Sequence, residues 1–521
     1  MKENENNGLN KLTKIVVAIL LIAQPVFDII KTSLVHDIQM FGLSFFEMFN
    51  IILVAAIGII AIIQSDRKKI ISRLLILGGI FVVYFGLHFY NMSLFNNDVY
   101  PNQNSNILVE FYYIYKTFIN PIVLMISLYY MRVDKKYLIR IVQIFSLVIS
   151  LVIIISNIFH FGYVSYGEED VRCLKSIFDW FTFKNTYRYS FYELTCRGLY
   201  FSANQLSSIT FMIMPIILYL TYKRKKFIDY FSLVSLIISM YMIGTKVSTY
   251  GVIAVFMMFY VLYFFFAIYN KKTENNMKLK NITGISLIMA GSILLFFFSP
   301  RYYELKYINS DVSTVKLIQD NLTSSEKDVT LFTTEWEEIE KFDCFKMSDE
   351  EKKLFKEFFN NYSDYMGVSP FIIKSYNSNA HPDFWCNYLK TSKNNDYRVL
   401  KTSILNNIYK ENNNEFDKYF GLGYGLGFIY TEADYSYQFY IYGIVGCIVL
   451  LSGYFIAVII SAYKILKNKL FNIESMLLLS SPAIALFTAQ FSGHVLERTM
   501  PLLILSIVTS ITLIDSSNNK Y

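Results

Sequence analysis

The chain is poor in the residues that build metal and nucleotide sites. Its 521 residues include five cysteines, five histidines and nine prolines. The histidines (His36, His88, His160, His381, His494) are scattered. No Cys/His cluster has metal-ligand spacing, so neither structural zinc nor a catalytic metal is expected. No phosphate-binding glycine loop occurs, so nothing indicates ATP hydrolysis or another cofactor. No internal repeat suggests the duplicated halves of many transporters. Charged residues make up only 17% of the chain. The net charge of +7 does not mark a nucleic-acid binder, because the basic residues sit in short connections between apolar runs. No cleavable leader is expected either. The first apolar run, near 14–34, carries Pro25, Asp28 and Lys31 without a small-residue cleavage site, and reads as a retained span.

What is present is apolar surface. Hydrophobic residues reach 54% and aromatic residues 17%, against about 45–50% apolar in soluble domains. Apolar runs of about 18 or more residues recur along the chain, which predicts an all-α polytopic membrane protein of about twelve helices. Their expected positions are 14–34, 43–64, 71–93, 111–131, 138–160, 198–222, 227–243, 247–269, 282–299, 434–463, 473–493 and 497–515. Basic clusters mark alternate connections: Arg67-Lys68-Lys69, Arg132 with Lys135 and Lys136, Lys223 to Lys226, Lys271-Lys272, and Lys464 with Lys467 and Lys469. All lie on one side if both termini are cytoplasmic, and that topology is expected.

Two connections on the opposite side are long, 161–197 and 300–433. The second is too long for a structureless loop. It is expected to form a mainly helical extracellular domain, dividing the chain into 1–299, 300–433 and 434–521. Ser348 and Glu351 have capping-box spacing, and Leu354, Phe355, Phe358 and Phe359 predict one apolar helix face. A second amphipathic stretch runs over 396–409. Cys173, Cys196, Cys344 and Cys386 fall outside, which allows one or two disulfides in pairings the sequence leaves open, or free thiols. Cys447 lies in a span.

Several polar groups interrupt the apolar runs. Lys246 stands in "ISMYMIGTKVSTYGVIAVFMMF" beside Thr245, Ser248 and Thr249, after a turn permitted by Gly244. A buried ammonium at mid-membrane costs about 2.5–3.5 kcal/mol on insertion scales. A lysine snorkelling to the interface is the plain reading; a phosphate ligand is the functional one. Arg197 opens "RGLYFSANQLSSITFMIMP", with Asn204 and Gln205 about two turns inside. It reads either as an interfacial anchor or as a guanidinium suited to bidentate phosphate contact. In "GLGYGLGFIYTEADYSYQFYIYGIVG" a flexible glycine run leads to Glu432 and Asp434, with Gly443 and Gly446 beyond. The carboxylates read as solvated acids at a helix start, or as a general base at a partly dry surface. Asp28, Lys31, Glu47, Lys116, His494, Glu497 and Arg498 are further polar groups that hold spans together or line a cavity. Asp28 and Lys31 have the spacing to pair on one helix face.

Together these stretches resemble the bacterial O-antigen ligase / O-antigen polymerase superfamily. The resemblance covers the whole arrangement, with one large outer loop before the last spans. It lies locally in the Arg-Gly, Ala-Asn and Pro of "RGLYFSANQLSSITFMIMP", in "GTKVSTYG", and in "EADYSYQFYIYGIVG" with its closing Gly-x-x-Gly. Two departures stand out: Glu432 occupies the position where ligases carry a histidine, and Lys246 replaces the turn arginine. The resemblance implies a glycosyltransferase that moves undecaprenyl-diphosphate-linked glycans on the outer face of the bacterial cytoplasmic membrane. The Glu432 departure favours a repeat-unit polymerase over a lipopolysaccharide ligase. The implied partners are that lipid-linked donor, a glycan or glycolipid acceptor, membrane lipid and other polysaccharide-assembly proteins. Arg197 and Lys246 would bind the diphosphate, and Glu432, or next Asp434, would act as base. Asn204, Thr245, His494 and Arg498 would line the glycan cavity. Trp336, Trp385 and Tyr376 are expected as sugar platforms. A flippase for the same lipid and a non-enzymatic assembly scaffold are the alternatives.

Overall fold

The computed structural model describes residues 2–33, 39–40, 43–64, 67–96, 99–100, 106–166, 171–182, 190–272, 280–307, 314–322, 326–366, 368, 370–392, 397–426, 429, 431, 433–491 and 493–517. Its elements are helices, apart from a two-residue antiparallel pairing of Gln39–Met40 with Leu43–Ser44. Among the described residues ten helices are long and apolar enough to cross a membrane. The count is eleven if Thr283–Phe296 and Pro300–Lys306, bent by 46°, form one span. The chain is a multi-pass membrane protein. The expected run at 227–243 is the helix Phe227–Ile243, whose 17 residues give about 25 Å, short of a bilayer core of about 30 Å. Gly244, at φ +71, closes it with a left-handed cap.

The chain folds as two compact units. The first comprises Met1–Val83, Phe111–Ile308 and Ile448–Tyr521; the second comprises Tyr84–Glu110 and Asn309–Cys447.

In the first unit the helices Ala203–Arg224 and Thr499–Ser517 are buried along almost their whole length. Their hydroxyls bond to their own helix backbones, as Thr210 does to Leu206 O, Thr221 to Ile217 O and Thr509 to Leu505 O. Hydroxyl donors are thereby satisfied without water. Others join helices: Ser481 donates to Met212 O at 2.7 Å, Thr512 to Leu478 O at 3.1 Å and Ser510 to Met125 O at 3.2 Å. Ser481 acts one turn before Pro215, whose missing N–H disturbs the helix at that point. Gln24 pairs with Asn50 at 2.6 Å between the first two helices. Outward faces carry aliphatic side chains such as Ile52, Leu75 and Val261, each more than half exposed, as lipid contact requires. Some basic residues of the connections form ion pairs, with Lys223 at 2.6 Å and Lys280 at 2.7 Å from Glu474.

In the second unit, short helices surround an aromatic core of Phe332, Phe355, Phe358, Phe359, Tyr362 and Trp385. The capping box is formed: Ser348 N–H donates to Glu351 Oε2 at 2.7 Å, and Glu351 N–H returns to Ser348 Oγ at 3.3 Å. Leu354 departs from the expected apolar face. It is 39% exposed, and Tyr362 completes the buried stripe. The second amphipathic helix is Tyr397–Asn412, with Leu400, Ile404, Leu405 and Ile408 buried. Cys344 and Cys386 form a disulfide. Trp385, Tyr376 and Trp336 are not open platforms. All three are buried, and Trp385 Nε1 donates to Tyr376 O at 2.7 Å.

Candidate functional site

In the first unit, four stretches singled out in the sequence converge on the N-terminus of the Ala203–Arg224 helix. Ser202 caps that helix, accepting from Gln205 N–H. Asp28 reaches it from the first helix: Oδ2 accepts from Phe201 N–H at 3.0 Å and Oδ1 from Gln205 Nε2 at 3.4 Å. Lys31 and Arg498 supply the positive field around Asp28. Ser207, one turn inside, bonds Thr245 Oγ1 at 2.6 Å. Ser208 donates to Gly493 O at 3.2 Å and so fixes the turn that carries His494, Glu497 and Arg498.

Arg197 arrives on a short extended segment. Cys196 N–H donates to Met242 O at 2.7 Å, and Arg197 N–H to Tyr163 O at 2.9 Å. The first bond sets this segment against the turn leading to Lys246. Gly244 must lack a side chain there, because a Cβ would lie 2.8 Å from Thr195 Cγ2. Arg197 is buried, its guanidinium 5.7 Å from the Tyr163 ring centroid. A second guanidinium, Arg172, lies 4.0 Å from the same ring. Sequence reading did not select Arg172, and its spacing from Arg197 carries no signal.

Lys246 is the first residue of the helix Lys246–Lys272, and it is exposed. Thr245, Ser248 and Thr249 are buried. Thr245 works as a cap, its Oγ1 accepting from Ser248 N–H at 3.1 Å and donating to Ser248 Oγ at 3.0 Å. Asn204 is half-buried in the first turn of its helix. In the 493–498 turn, His494 Nδ1 and Arg498 Nε each lie 3.6 Å from Glu497 Oε2. Burial pushes the Glu497 carboxyl up, but the nearby His494 ring and the Arg498 charge outweigh it and hold it below the usual range. The assembly has more cations (Arg197, Lys246, Lys31, Arg498) than carboxylates (Asp28, Glu497). It stands at the positive end of a helix dipole, and both features favour an anion.

The second unit holds the other candidates. Glu432 lies outside the described residues. Asp434 begins the helix Asp434–Lys467 and is fully buried. That helix is broken at Gly443, with φ +66 and ψ −179. Carbonyls near the break are recovered by a neighbouring segment: Leu422 N–H donates to Tyr440 O at 2.8 Å and Gly423 N–H to Ile441 O at 2.9 Å. Tyr84 Oη donates to Tyr442 O at 3.0 Å. The glycines are the condition for this contact. A Cβ on Gly443 would lie 2.3 Å from the Tyr419 carbonyl carbon, and one on Gly421 2.2 Å from Ile441 O. Gly421 and Gly423 are therefore a packed turn, which corrects the flexible approach expected from the sequence.

A buried polar network clamps the same turn. His88 Nε2 pairs with Glu110 Oε1 at 2.9 Å, His88 Nδ1 bonds Phe420 O at 2.5 Å, and Glu110 Oε2 accepts from Tyr424 N–H at 2.7 Å. Asn91 donates to Asp417 Oδ1 at 2.9 Å and to Gly421 O at 2.8 Å. Asn412 donates to Asp417 Oδ2 at 2.6 Å. Burial raises the Asp417 carboxyl above its ordinary range, against the lowering effect of these amides. Sequence reading missed this network. Its only trace was the i, i+3 spacing of His88 and Asn91 on one helix face.

Residues 10–518 match the family described as "O-antigen ligase like membrane protein". No curated protein matches the chain.

Proposed function

The chain belongs to the O-antigen ligase-like membrane protein family, a glycosyltransferase-like class acting on lipid-linked glycans, and from that premise we propose a specific transfer reaction. The donor is a glycan on undecaprenyl diphosphate and the acceptor a growing glycan or glycolipid, at the outer face of the bacterial cytoplasmic membrane with both termini inside. The product is a capsule, exopolysaccharide or O-antigen-type polymer, extended by repeat units, and 300–433 acts as the outer domain that selects the acceptor. The observation that carries the proposal is the gathering of the Arg197, Lys246 and Arg498 stretches at one helix N-terminus, with Asp28 bonded to that helix.

The chemistry follows from the leaving group. A lipid diphosphate is already activated, so departure needs only positive charge where negative charge develops. Arg197 and Lys246 supply it in this reading, while Asn204, Thr245, His494 and Arg498 shape the cavity. Glu432 removes the acceptor hydroxyl proton, with Asp434 second in line. Direct displacement inverts the anomeric centre and requires neither covalent intermediate nor metal.

The test uses cells supplied with the lipid-linked repeat unit, comparing the wild-type chain with Glu432→Gln and Asp434→Asn. Polymer chain length and the side on which single units collect are measured. Single units accumulating outside support the transferase. Accumulation inside would instead indicate a flippase, and normal polymer in both variants would leave these carboxylates without a role.

A further inference from the structure

Two thiols that the transfer reaction does not use meet beside the Arg197 segment. Tyr163 bridges Arg172 on one side and Gly198 on the other, and Cys173 N–H donates to Gly162 O at 2.8 Å. Cys173 and Cys196 are both fully buried and form one cluster with Val164. Both are free thiols in this structure. Gly162 provides the space: a Cβ there would stand 2.7 Å from Cys196 Sγ and 3.0 Å from Ser156 Oγ.

We infer that Cys173 and Cys196 form a second disulfide, which fixes the segment carrying Arg197. The two sulfurs share one dry pocket that is kept open by the missing side chain of Gly162. Cys196 Sγ also accepts from Gly198 N–H at 3.3 Å, and Cys173 Sγ lies 3.4 Å from Thr195 O. An inert buried cysteine behaves as a small hydrophobe and needs no such polar partners. The Gly198 N–H aimed at Cys196 Sγ would stabilise a thiolate there, which makes Cys196 the attacking sulfur.

The step balances with a disulfide oxidant, RSSR. As the segment folds, the Cys196 thiolate attacks RSSR, forming a mixed disulfide and releasing one thiolate. Cys173 sulfur then attacks the Cys196 sulfur, the mixed S–S bond breaks, and the second thiolate leaves. The two cysteine protons end on the two released thiols. The inference is independent of the transfer reaction, since it concerns only the folded segment.

The experiment takes the full chain purified in detergent without reductant, so that any link formed during folding is kept. The protein is then denatured, alkylated and digested, and the peptides are weighed. The expected result is a linked Cys173–Cys196 pair beside the Cys344–Cys386 pair, with the alkyl label on Cys447 alone. Alkylation of Cys173 and Cys196 in a sample whose Cys344–Cys386 pair is linked would overturn the inference, as would any other pairing of these two. A second readout compares proteolysis within 161–197 before and after dithiothreitol. Cleavage should accelerate about tenfold or more on reduction, faster opening being the result of losing a cross-link. Cys173→Ser should cleave at the reduced rate in both conditions. Equal rates in oxidised and reduced wild-type protein would show that no link holds this segment.

Discussion

Gly443→Ala tests whether the break in the Asp434–Lys467 helix is specified by glycine. Alanine at φ +66 and ψ −179 occupies a backbone region open essentially to glycine, at a cost of about 1–3 kcal/mol. Its Cβ would lie 2.3 Å from the Tyr419 carbonyl carbon and 2.5 Å from Phe420 N. Both atoms are backbone, so no rotamer change relieves the clash and segment 419–423 must withdraw. The bonds from Leu422 to Tyr440 O and from Gly423 to Ile441 O go with it, each contributing about 0.5–1.5 kcal/mol. The expected loss is therefore about 2–6 kcal/mol. At about 2–4 °C per kcal/mol for a domain of this size, the transition should fall by at least about 4 °C. The assay is thermal unfolding of the purified chain in detergent, followed by tryptophan emission; Trp336 and Trp385 report on this unit. Gly291→Ala is the control, since nothing lies within 4 Å of a Cβ there, and it should hold or raise the transition. A Gly443→Ala protein that melts within about 1 °C of the parent would refute the argument, because strain of this size moves the midpoint several-fold further.

Other consequences are open to measurement. If Arg197 neutralises the leaving diphosphate, Arg197→Ala should lower the turnover rate about 10²–10³-fold, and Lys should restore little because it lacks the planar fork. His88→Ala leaves buried Glu110 with the Tyr424 N–H but without its imidazole partner and should cost about 1–3 kcal/mol in the same melt; an unchanged midpoint would show that the pair carries no load. Replacing Cys344 and Cys386 by serine opens a link of sequence separation 42, worth about 4 kcal/mol on chain-entropy grounds, and denaturant midpoints measure it. The Asp179 carboxyl is held below its ordinary range, first by the Ser176 backbone N–H. Its contribution is present above the ordinary carboxylate range near 4 and lost as pH falls through the lowered folded value. Protection factors around 176–182, taken against the intrinsic exchange rate at each pH, should therefore fall in acid in the wild type, with no such acid step in Asp179→Asn.

The helices were legible because hydrocarbon imposes a length and an apolarity that any window can count. The turn at Gly244 and the capping box at Ser348 were legible for a similar reason, since each rests on neighbours within a few residues. The clamp on the 417–424 turn was not. His88 and Phe420 are 332 positions apart, and no local pattern announces a carbonyl acceptor that far along the chain. The glycines of 421–446 were visible, but their meaning was not, because a glycine needed for close packing and a glycine needed for freedom look identical in a sequence. The convergence at the Ala203–Arg224 helix was half legible: the polar residues stood out one by one, while the bonds from Ser207 to Thr245 and from Ser208 to Gly493 that gather them required coordinates. Exposure likewise decided against Trp385 and Tyr376 as platforms, since composition counts aromatics without saying which face water.

Gly446 has a bearing on how such chains can diverge. A Cβ at that position would sit 2.3 Å from Tyr84 Oη, so the two positions share one volume although they stand hundreds of residues apart. The same Cβ would stand 2.8 Å from Tyr84 Cζ and 2.5 Å from Tyr442 Cβ, so a descendant that acquires alanine at 446 should survive only with a smaller, non-aromatic residue at 84 and a shifted Tyr442. The two columns of an alignment would then change in step, like one site written in two places.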